Sequence, residues 1–443
     1  MKSRRTRLRP PRISADDARS GGGIALALYR GVTRVLSPAV LRARARRGKE
    51  DAGRLTERTG LASRERPEGT LVWIHGASVG ESLSSLPLIS ALLERSGRHV
   101  LVTTGTLASA QLMKERLPPH AFHQYVPIDS RLYVRRFLAH WRPDLALFVE
   151  SELWPNLILE TRDAGVPMAL VNGRVSERSF RGWRYARGLA RRLLSAFDMC
   201  LAQDSVVAAR LTALGVRSVK IAGSLKADAP PLPADETAFS AFLAAAGARP
   251  LFLAASTHPG EEELVLQAAE ALRKQRPDAL TVIVPRHPTR GPEIETLAKS
   301  RGYATLRRAT GALPASETQV YVADTLGELG LFYRAADFAF LGGSLVPHGG
   351  QNPLEAARLE TAVITGPYTH NFEEIFRVLL DAQGEGRVNS VKELSQLVLR
   401  LSGDPAASAR LGARAKEAVM SLRGALTATI ETAEALLASH ARA

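Results

Sequence analysis

Residues 71–81 read LVWIHGASVGE. The four apolar residues at its start, with Val72 and Ile74 β-branched, have the composition of a strand buried on both faces. His75 to Gly80 is a turn of mostly small residues. Glu81 then opens SLSSLPLISALLE, residues 82–94, a stretch long enough for a helix. A buried strand feeding a helix through a short glycine-containing turn is the first half of a βαβ unit.

The same grammar repeats along the chain. Short apolar runs at Val100–Thr103, Leu145–Val149, Met168–Val171 and Met199–Ala202 read as further strands, with crossover helices such as Ser82–Glu94 and Ala108–Arg116 between them. Then AGSLKADAPPLPADE, residues 222–236, breaks the texture with proline and small residues and reads as a linker. The pattern restarts with strands at Leu251–Ala255, Leu280–Val284, Val320–Val322, Phe338–Leu341 and Val363–Thr365. Helices are expected at Gly260–Lys274, Glu355–Leu359 and Asn371–Leu380. Continuous apolar strands covered by helices imply mainly parallel sheets, hence two α/β domains, with ligands expected beyond the C-terminal strand ends and a cleft between the domains.

The chain is 443 residues long with net charge +15, but residues 1–50 hold fourteen Lys/Arg against three Asp/Glu, which leaves +4 for the rest. The basic character therefore belongs to an N-terminal segment, and no RNA- or DNA-reading motif follows it. Residues 1–20 are polar and arginine-rich and are expected to be disordered. Residues 21–50 are expected to associate with a membrane. Ile24 to Val40 is apolar yet carries Arg30 and Arg34, which makes a poor spanning helix and a better interfacial one, with Arg42, Arg44, Arg46 and Arg47 available to lipid phosphates. The one cysteine, Cys200, excludes an internal disulfide and reads as a buried core thiol.

Candidate site residues gather at strand ends. Glu81 is either favourable charge in the first turn of a helix or a cleft carboxylate able to take a proton from a hydroxyl. Glu150 and Glu152 in ESELWPN follow another strand, and in extended backbone they would point to opposite sides. Arg174 and Arg178 open an arginine series with spacings of three and four that suits phosphates or carboxylates. In the second half, Ser256, Thr257 and His258 precede a helix, Arg286 and His287 end a strand, and Gly342, Gly343, Gly349 and Gly350 form a flexible loop around His348 that leads to Asn352 and Glu355. A glycine-rich loop feeding a helix suits a phosphate, and Glu355 suits ribose hydroxyls. No metal-ligand spacing, Walker A or GxGxxG motif is present.

Taken in order, RLTERTG (54–60), HGASVGE (75–81), ESELWPN (150–156), NGRVSERS (172–179), STHPGEE (256–262), VPRHP (284–288) and GGSLVPHGGQNPLEA (342–356) resemble the 3-deoxy-D-manno-octulosonic acid (Kdo) transferases of lipopolysaccharide assembly, over roughly residues 35–425. The resemblance implies a GT-B fold, two Rossmann-like domains facing a central cleft, with an N-terminal membrane-associating segment. It implies the donor CMP-Kdo, the tetraacyl-disaccharide bisphosphate precursor of lipid A as acceptor, inversion at the anomeric carbon, and no metal or other cofactor. Glu81 would be the general base, with Glu150 or Glu152 essential. The donor set would be Ser256, His258, Arg286, His287, Gly343, Ser344, Asn352 and Glu355; the acceptor or Kdo set would be Ser78, Gly80, Arg174 and Arg178. The domains would then be an acceptor-binding one at 51–222, a linker at 223–236, a CMP-sugar-binding one at 237–425 and a tail at 426–443. The partners expected besides the substrates are an anionic inner-membrane surface and no nucleic acid, with the catalytic body on the cytoplasmic side. A UDP-sugar enzyme of the same fold and a non-enzymatic membrane adaptor are the competing readings; donor choice and the effect of Glu81→Gln separate them.

Overall fold

The computed structural model describes residues 21–150 and 153–442, with no side-chain detail at positions 21, 22, 441 and 442. The 1–20 extension and Glu152 therefore lie outside the described residues. The chain divides into two compact units, the described parts of Met1–Ala229 with Leu422–Ala443, and Pro230–Ser421. The division at Ala229 falls within the proline-rich 223–236 stretch.

The first unit holds a seven-stranded parallel sheet in the order β3-β2-β1-β4-β5-β6-β7. Its strands are β1 (Thr70–His75), β2 (Arg98–Thr104), β3 (Ala121–Tyr125), β4 (Leu145–Val149), β5 (Met168–Gly173), β6 (Met199–Ala202) and β7 (Val219–Ile221). The two-residue period of β1 explains why it is apolar throughout. Leu71 and Trp73 enter one buried cluster with Phe137 and Phe148, while Val72 and Ile74 enter the cluster on the opposite face with Leu88, Val100 and Leu147. Each such side chain contributes about 1.5–3 kcal/mol on burial. The 54–60 motif forms a 3₁₀ segment that clamps the β3 edge: Glu57 Oε2 accepts from the Tyr125 amide at 2.8 Å, and Arg58 donates to the carbonyls of Val126 and Gly105 at 3.1 and 2.7 Å. Cys200 is buried, and burial pushes its thiol up to about 12.

Residues 426–443, read from the sequence as a tail, belong almost wholly to a helix, Ala425–Arg442, of this first unit. Leu426, Ile430 and Leu437 recur on one helical face and pack on the Val72 cluster. The Asp228 carboxylate accepts from the amides of Gly424 and Leu426 at 2.8 and 2.7 Å, and Glu434 pairs with Arg98 at 2.8 Å.

An N-terminal helix spans Gly21–Arg46. Leu26 and Leu41 are buried against the body, whereas Ile24, Leu28, Val32, Val35, Leu36 and Val40 are 45–73% exposed. Residues 23–46 are long and apolar enough to cross a membrane by length and composition.

The second unit is a six-stranded parallel sheet in the order β10-β11-β9-β8-β12-β13, made of β8 (Leu251–Thr257), β9 (Leu280–Pro285), β10 (Thr305–Arg307), β11 (Val320–Val322), β12 (Phe338–Leu341) and β13 (Ala362–Thr365). Alternate residues again divide between two clusters, Phe252 and Ala254 on one face, Leu253 and Ala255 on the other.

Both strand orders reverse at one place, between β1 and β4 in the first unit and between β8 and β12 in the second. Open parallel sheets bind ligands beyond the C-terminal strand ends at such a reversal. The motifs HGASVGE and ESELWPN follow β1 and β4; STHPGEE and GGSLVPHGGQN follow β8 and β12.

Candidate functional site

In the first unit, helix Val79–Leu93 begins with Ser78 as its N-cap. Glu81 stands in its first turn and folds back over the loop. Its Oε2 accepts from the Ala77 amide at 2.7 Å and its Oε1 from the Ser78 hydroxyl at 2.8 Å, leaving the residue 7% exposed. Ser78, at the cap, and Gly80, in the first helical turn, lie beside it and are exposed. Glu81 thus braces the start of its helix and is also a carboxylate at the strand-order reversal. His75 is fully buried, with Nδ1 3.0 Å from Thr103 Oγ1, and burial brings its imidazole down to about 4.

Across the reversal, Glu150 adopts a left-handed backbone with φ of 63°. The condition for the acid pair to point to opposite sides, an extended backbone, is not met at Glu150, where the chain turns sharply as it leaves β4. Its Oε1 pairs with Lys226 Nζ at 3.0 Å. Asn172 at the end of β5 is also left-handed, with φ of 53°, and its Oδ1 accepts from the Leu225 amide at 3.1 Å, drawing the Lys226 segment to the same strand ends. Non-glycine residues in this region cost about 1–3 kcal/mol each and gather where surroundings hold them for a task.

The arginine series is not one helical face. Arg174 precedes helix Glu177–Tyr185, and a second helix, Arg187–Leu194, starts after a break at Ala186. Arg178 is exposed, and Arg181 pairs with Glu177 at 2.9 Å. The non-helical Ala186 divides the series, leaving Arg178, Arg181 and Arg184 on the first helix and Arg187, Arg191 and Arg192 on the second.

In the second unit, the loop after β12 is pinned. Glu261, fully buried, accepts four backbone amides: His258 and Gly343 on Oε2 at 3.0 and 2.6 Å, Ser344 and Leu345 on Oε1 at 3.0 and 2.9 Å. The loop expected to be flexible is tied to the start of helix Glu261–Gln275, and the amides of Gly343 and Ser344 serve an internal carboxylate. A side chain at Gly342 would meet the Ser256 carbonyl at 2.2 Å, so glycine is required by the close approach to β8. Ser256 itself has φ of 56°.

His258 and His348 stack with ring centroids 4.3 Å apart, and His287 lies 6.4 Å from His258. Burial first, then the neighbouring His348, His287 and Arg286, bring His258 down to about 4. It is neutral near pH 7, as its 2.8 Å contact with the Gln351 amide nitrogen requires of an acceptor. Asn352 caps helix Pro353–Arg358, accepting from the Leu354 amide at 3.2 Å and donating to Glu355 Oε1 at 3.0 Å. Burial raises Glu355 above the usual carboxylate range, opposed by the Asn352 bond and the positive charges of Arg358 and Arg286. Arg286, exposed at the end of β9, is near enough for its charge to act on Glu355. Among the described residues, no group of three or more His, Cys, Asp or Glu is placed to hold a metal ion.

A family model described as 3-deoxy-D-manno-octulosonic-acid transferase (kdotransferase) matches residues 53–229. The 3-deoxy-D-manno-octulosonic acid transferase of Haemophilus influenzae is 37% identical over 385 residues, covering 84% of this chain and 89% of that protein. The chain belongs to the Kdo transferase family. Among solved structures, the C-terminal CMP-Kdo binding domain of WaaA from Acinetobacter baumannii is 30% identical and covers 41% of this chain and 96% of that one, with a TM-score of 0.40. UDP-GlcNAc 2-epimerase from Neisseria meningitidis, at 14% identity, covers 82% of this chain and 99% of that one with a TM-score of 0.55, a likeness of fold.

Several residues at the candidate sites of this Kdo transferase are not singled out by the sequence. Lys226 lies in a stretch read as linker, and only the folded chain brings it to Glu150. Glu261 reads as ordinary first-turn charge, yet it organises a loop some eighty residues away. Gln351 sits one residue before the Asn352 cap and meets His258.

Proposed function

We propose that this protein is an inverting glycosyltransferase of the GT-B type that moves Kdo from CMP-Kdo to the tetraacyl-disaccharide bisphosphate precursor of lipid A. Membership of the Kdo transferase family, through a relative aligned over 84% of the chain and therefore over both units, carries this reading. The first unit is the acceptor-binding domain and the second the CMP-sugar-binding domain.

The acceptor's primary hydroxyl gives its proton to Glu81 as its oxygen bonds to the anomeric carbon of Kdo. The bond from that carbon to the phosphate oxygen breaks, and CMP leaves. Glu81 acts through position, since its oxygens already accept from Ala77 and Ser78; rotation of the Ser78 hydroxyl frees one lone pair. Arg286 takes the charge that grows on the departing phosphate. Glu355, steered by Asn352, accepts ribose hydroxyls, and His258 and His287 line the donor with Ser256, Gly343 and Ser344. Because the Gly343 and Ser344 amides serve Glu261, the phosphate relies on Arg286 more than on loop amides. Arg174, Arg178, Ser78 and Gly80 serve the Kdo carboxylate or acceptor phosphate, and Glu150, paired with Lys226, and Glu152 complete the acidic side.

The enzyme works on the cytoplasmic face of the inner membrane. Support for a helix lying on the surface comes from its exposed apolar stripe together with the polar bonds that its other edge makes to the body, Tyr29 to Asp129 at 2.7 Å and Arg30 to Glu160 at 2.9 Å. Purified protein incubated with CMP-Kdo and lipid A precursor, with products separated by mass, tests the reading. Addition of one or more Kdo units with CMP release is expected; turnover of UDP-sugars instead, or none with CMP-Kdo, would refute it.

A further inference from the structure

The N-terminal helix has a second edge besides its apolar stripe. Tyr29 donates its hydroxyl to Asp129 Oδ2 at 2.7 Å. Arg30 donates through Nε to Asn156 Oδ1 at 3.3 Å and through Nη2 to Glu160 Oε1 at 2.9 Å. Thr33 Oγ1 accepts from Asn156 Nδ2 at 3.3 Å. The groups that receive the helix are buried, with Asp129 4%, Asn156 0% and Glu160 2% exposed.

Those same groups anchor the far end of the acid-bearing loop. The loop leaves β4 at Glu150 and ends where helix Pro155–Asp163 begins. That helix has no side-chain cap of its own, because Trp154 occupies the cap position. Asp129 supplies the cap from a different loop, accepting from the amides of Asn156 at 3.1 Å and Leu157 at 2.7 Å. Asn156 closes the arrangement by donating to the Asp129 carbonyl at 2.7 Å. The cap and the amide that fix the loop's exit are thus both held from above by the N-terminal helix.

We propose that Arg30, assisted by Tyr29, is a positioning residue for the transfer reaction: by holding Asn156 and Asp129 it sets the start of helix Pro155–Asp163, the far anchor of the chain that leaves β4 at Glu150. The inference rests on the Kdo-transfer reading above. Seating the N-terminal helix and fixing the start of helix Pro155–Asp163 then become one event, and the arginine within the apolar segment is there to reach the site's frame. Global folding does not need this contact, since Glu160 keeps Arg131 at 2.7 Å and Arg135 at 2.6 Å when Arg30 is gone. Among the described residues, what Arg30 alone supplies is the donor to Asn156 Oδ1.

The test uses the full chain in detergent with CMP-Kdo and lipid A precursor, comparing wild type with Arg30→Met, Arg30→Lys and Tyr29→Phe. Small displacements of reacting groups cost up to about a hundredfold in rate. Arg30→Met is therefore expected to lower kcat by about ten- to a hundredfold. KM for CMP-Kdo, melting temperature and membrane recovery should stay near wild type. Arg30→Lys restores the pair with Glu160 without the two-point contact and should recover only part of the rate. Amide hydrogen exchange, read without substrate, should quicken at residues 150–158 in Arg30→Met and stay unchanged in the rest of the first unit. Wild-type kcat in Arg30→Met, unchanged exchange at 150–158, or a rate loss that merely follows the melting temperature across the three variants would overturn the proposal. If wild type itself fails to use CMP-Kdo, the functional reading falls, and the exchange measurement still decides whether Arg30 orders the loop.

Discussion

At the scale of single residues, Glu81 does two things that a mutation can separate. It braces its own loop through Ala77 and Ser78, and as the proposed base it receives a proton. Glu81→Gln keeps the size and an acceptor oxygen but cannot take that proton. General-base loss costs about 10²–10⁴-fold, so kcat should fall by at least about a hundredfold. CMP-Kdo affinity by calorimetry should stay within about twofold of wild type, because the donor groups belong to other motifs; survival of turnover would remove Glu81 from the chemistry. The buried histidines give a separate expectation. Burial brings His75 down to about 4, while His123 is lowered to about 3 by burial and by Arg54 and Arg58. In the unfolded chain both take a proton near their ordinary value of about 6.5. Between that value and the folded ones, the unfolded chain binds more protons, so stability is complete above about pH 6.5 and declines as pH falls towards 4. The decline approaches about 1.4 kcal/mol per pH unit for each histidine. Urea midpoints at pH 7.5 and 5 should therefore diverge, and His75→Asn should narrow the gap; an equal gap in wild type and variant would show that His75 does not carry it.

At the scale of elements, Glu261 decides how the loop after β12 behaves. Four amides converge on one buried carboxylate, so replacing it by glutamine leaves at least one donor facing the new NH₂ group. An unsatisfied buried polar group costs about 1–3 kcal/mol, and Glu261→Gln should lose at least that from the unfolding of the second unit. The same loop leads to Asn352 and Glu355, so CMP-Kdo binding should weaken even though Arg286 is untouched. Denaturant melts with calorimetric titration of CMP-Kdo check both; unchanged stability would mean that the loop holds without its carboxylate. This element also shows what the sequence could and could not carry. Strands such as Leu145–Val149 are legible because burial on both faces leaves an uninterrupted apolar run. β3, β7 and β10 escape notice because AFHQY, VKI and TLR mix polar residues into short strands towards the sheet edges. The motif residues at strand ends are legible by type, since a glycine, an acid or an arginine after a buried strand is seldom scaffold alone. Their partners are not, because Lys226, Asp129 and Glu261 act across 27 to 84 residues of chain, and only the fold sets those distances.

At the scale of the whole molecule, the N-terminal helix is the element proposed to meet a membrane surface. Ile24, Leu28, Val32 and Val35 recur at spacings of four, four and three, which places them on one stripe, and all four are more than half exposed. The opposite edge is committed to Tyr29–Asp129 and Arg30–Glu160, so the stripe cannot turn inward to bury itself against the protein. Exposed apolar surface of this extent calls for a cover, and arginines at positions 42, 44, 46 and 47 supply the charge that favours an anionic one. Each large apolar side chain withdrawn from water is worth about 1.5–3 kcal/mol when fully buried. Partial entry into a headgroup layer should return a fraction of that from each. Replacing Ile24, Leu28, Val32 and Val35 together by serine should thus lower partitioning to vesicles of phosphatidylglycerol and phosphatidylethanolamine by at least about a hundredfold, equivalent to roughly 3 kcal/mol. Melting temperature should hardly move, since none of the four is buried. Raising salt should weaken what binding remains, because the arginines then act alone. Vesicle sedimentation of wild type and the fourfold variant measures this directly, and equal recovery of the two would mean that the stripe is not the surface by which this transferase meets its lipid.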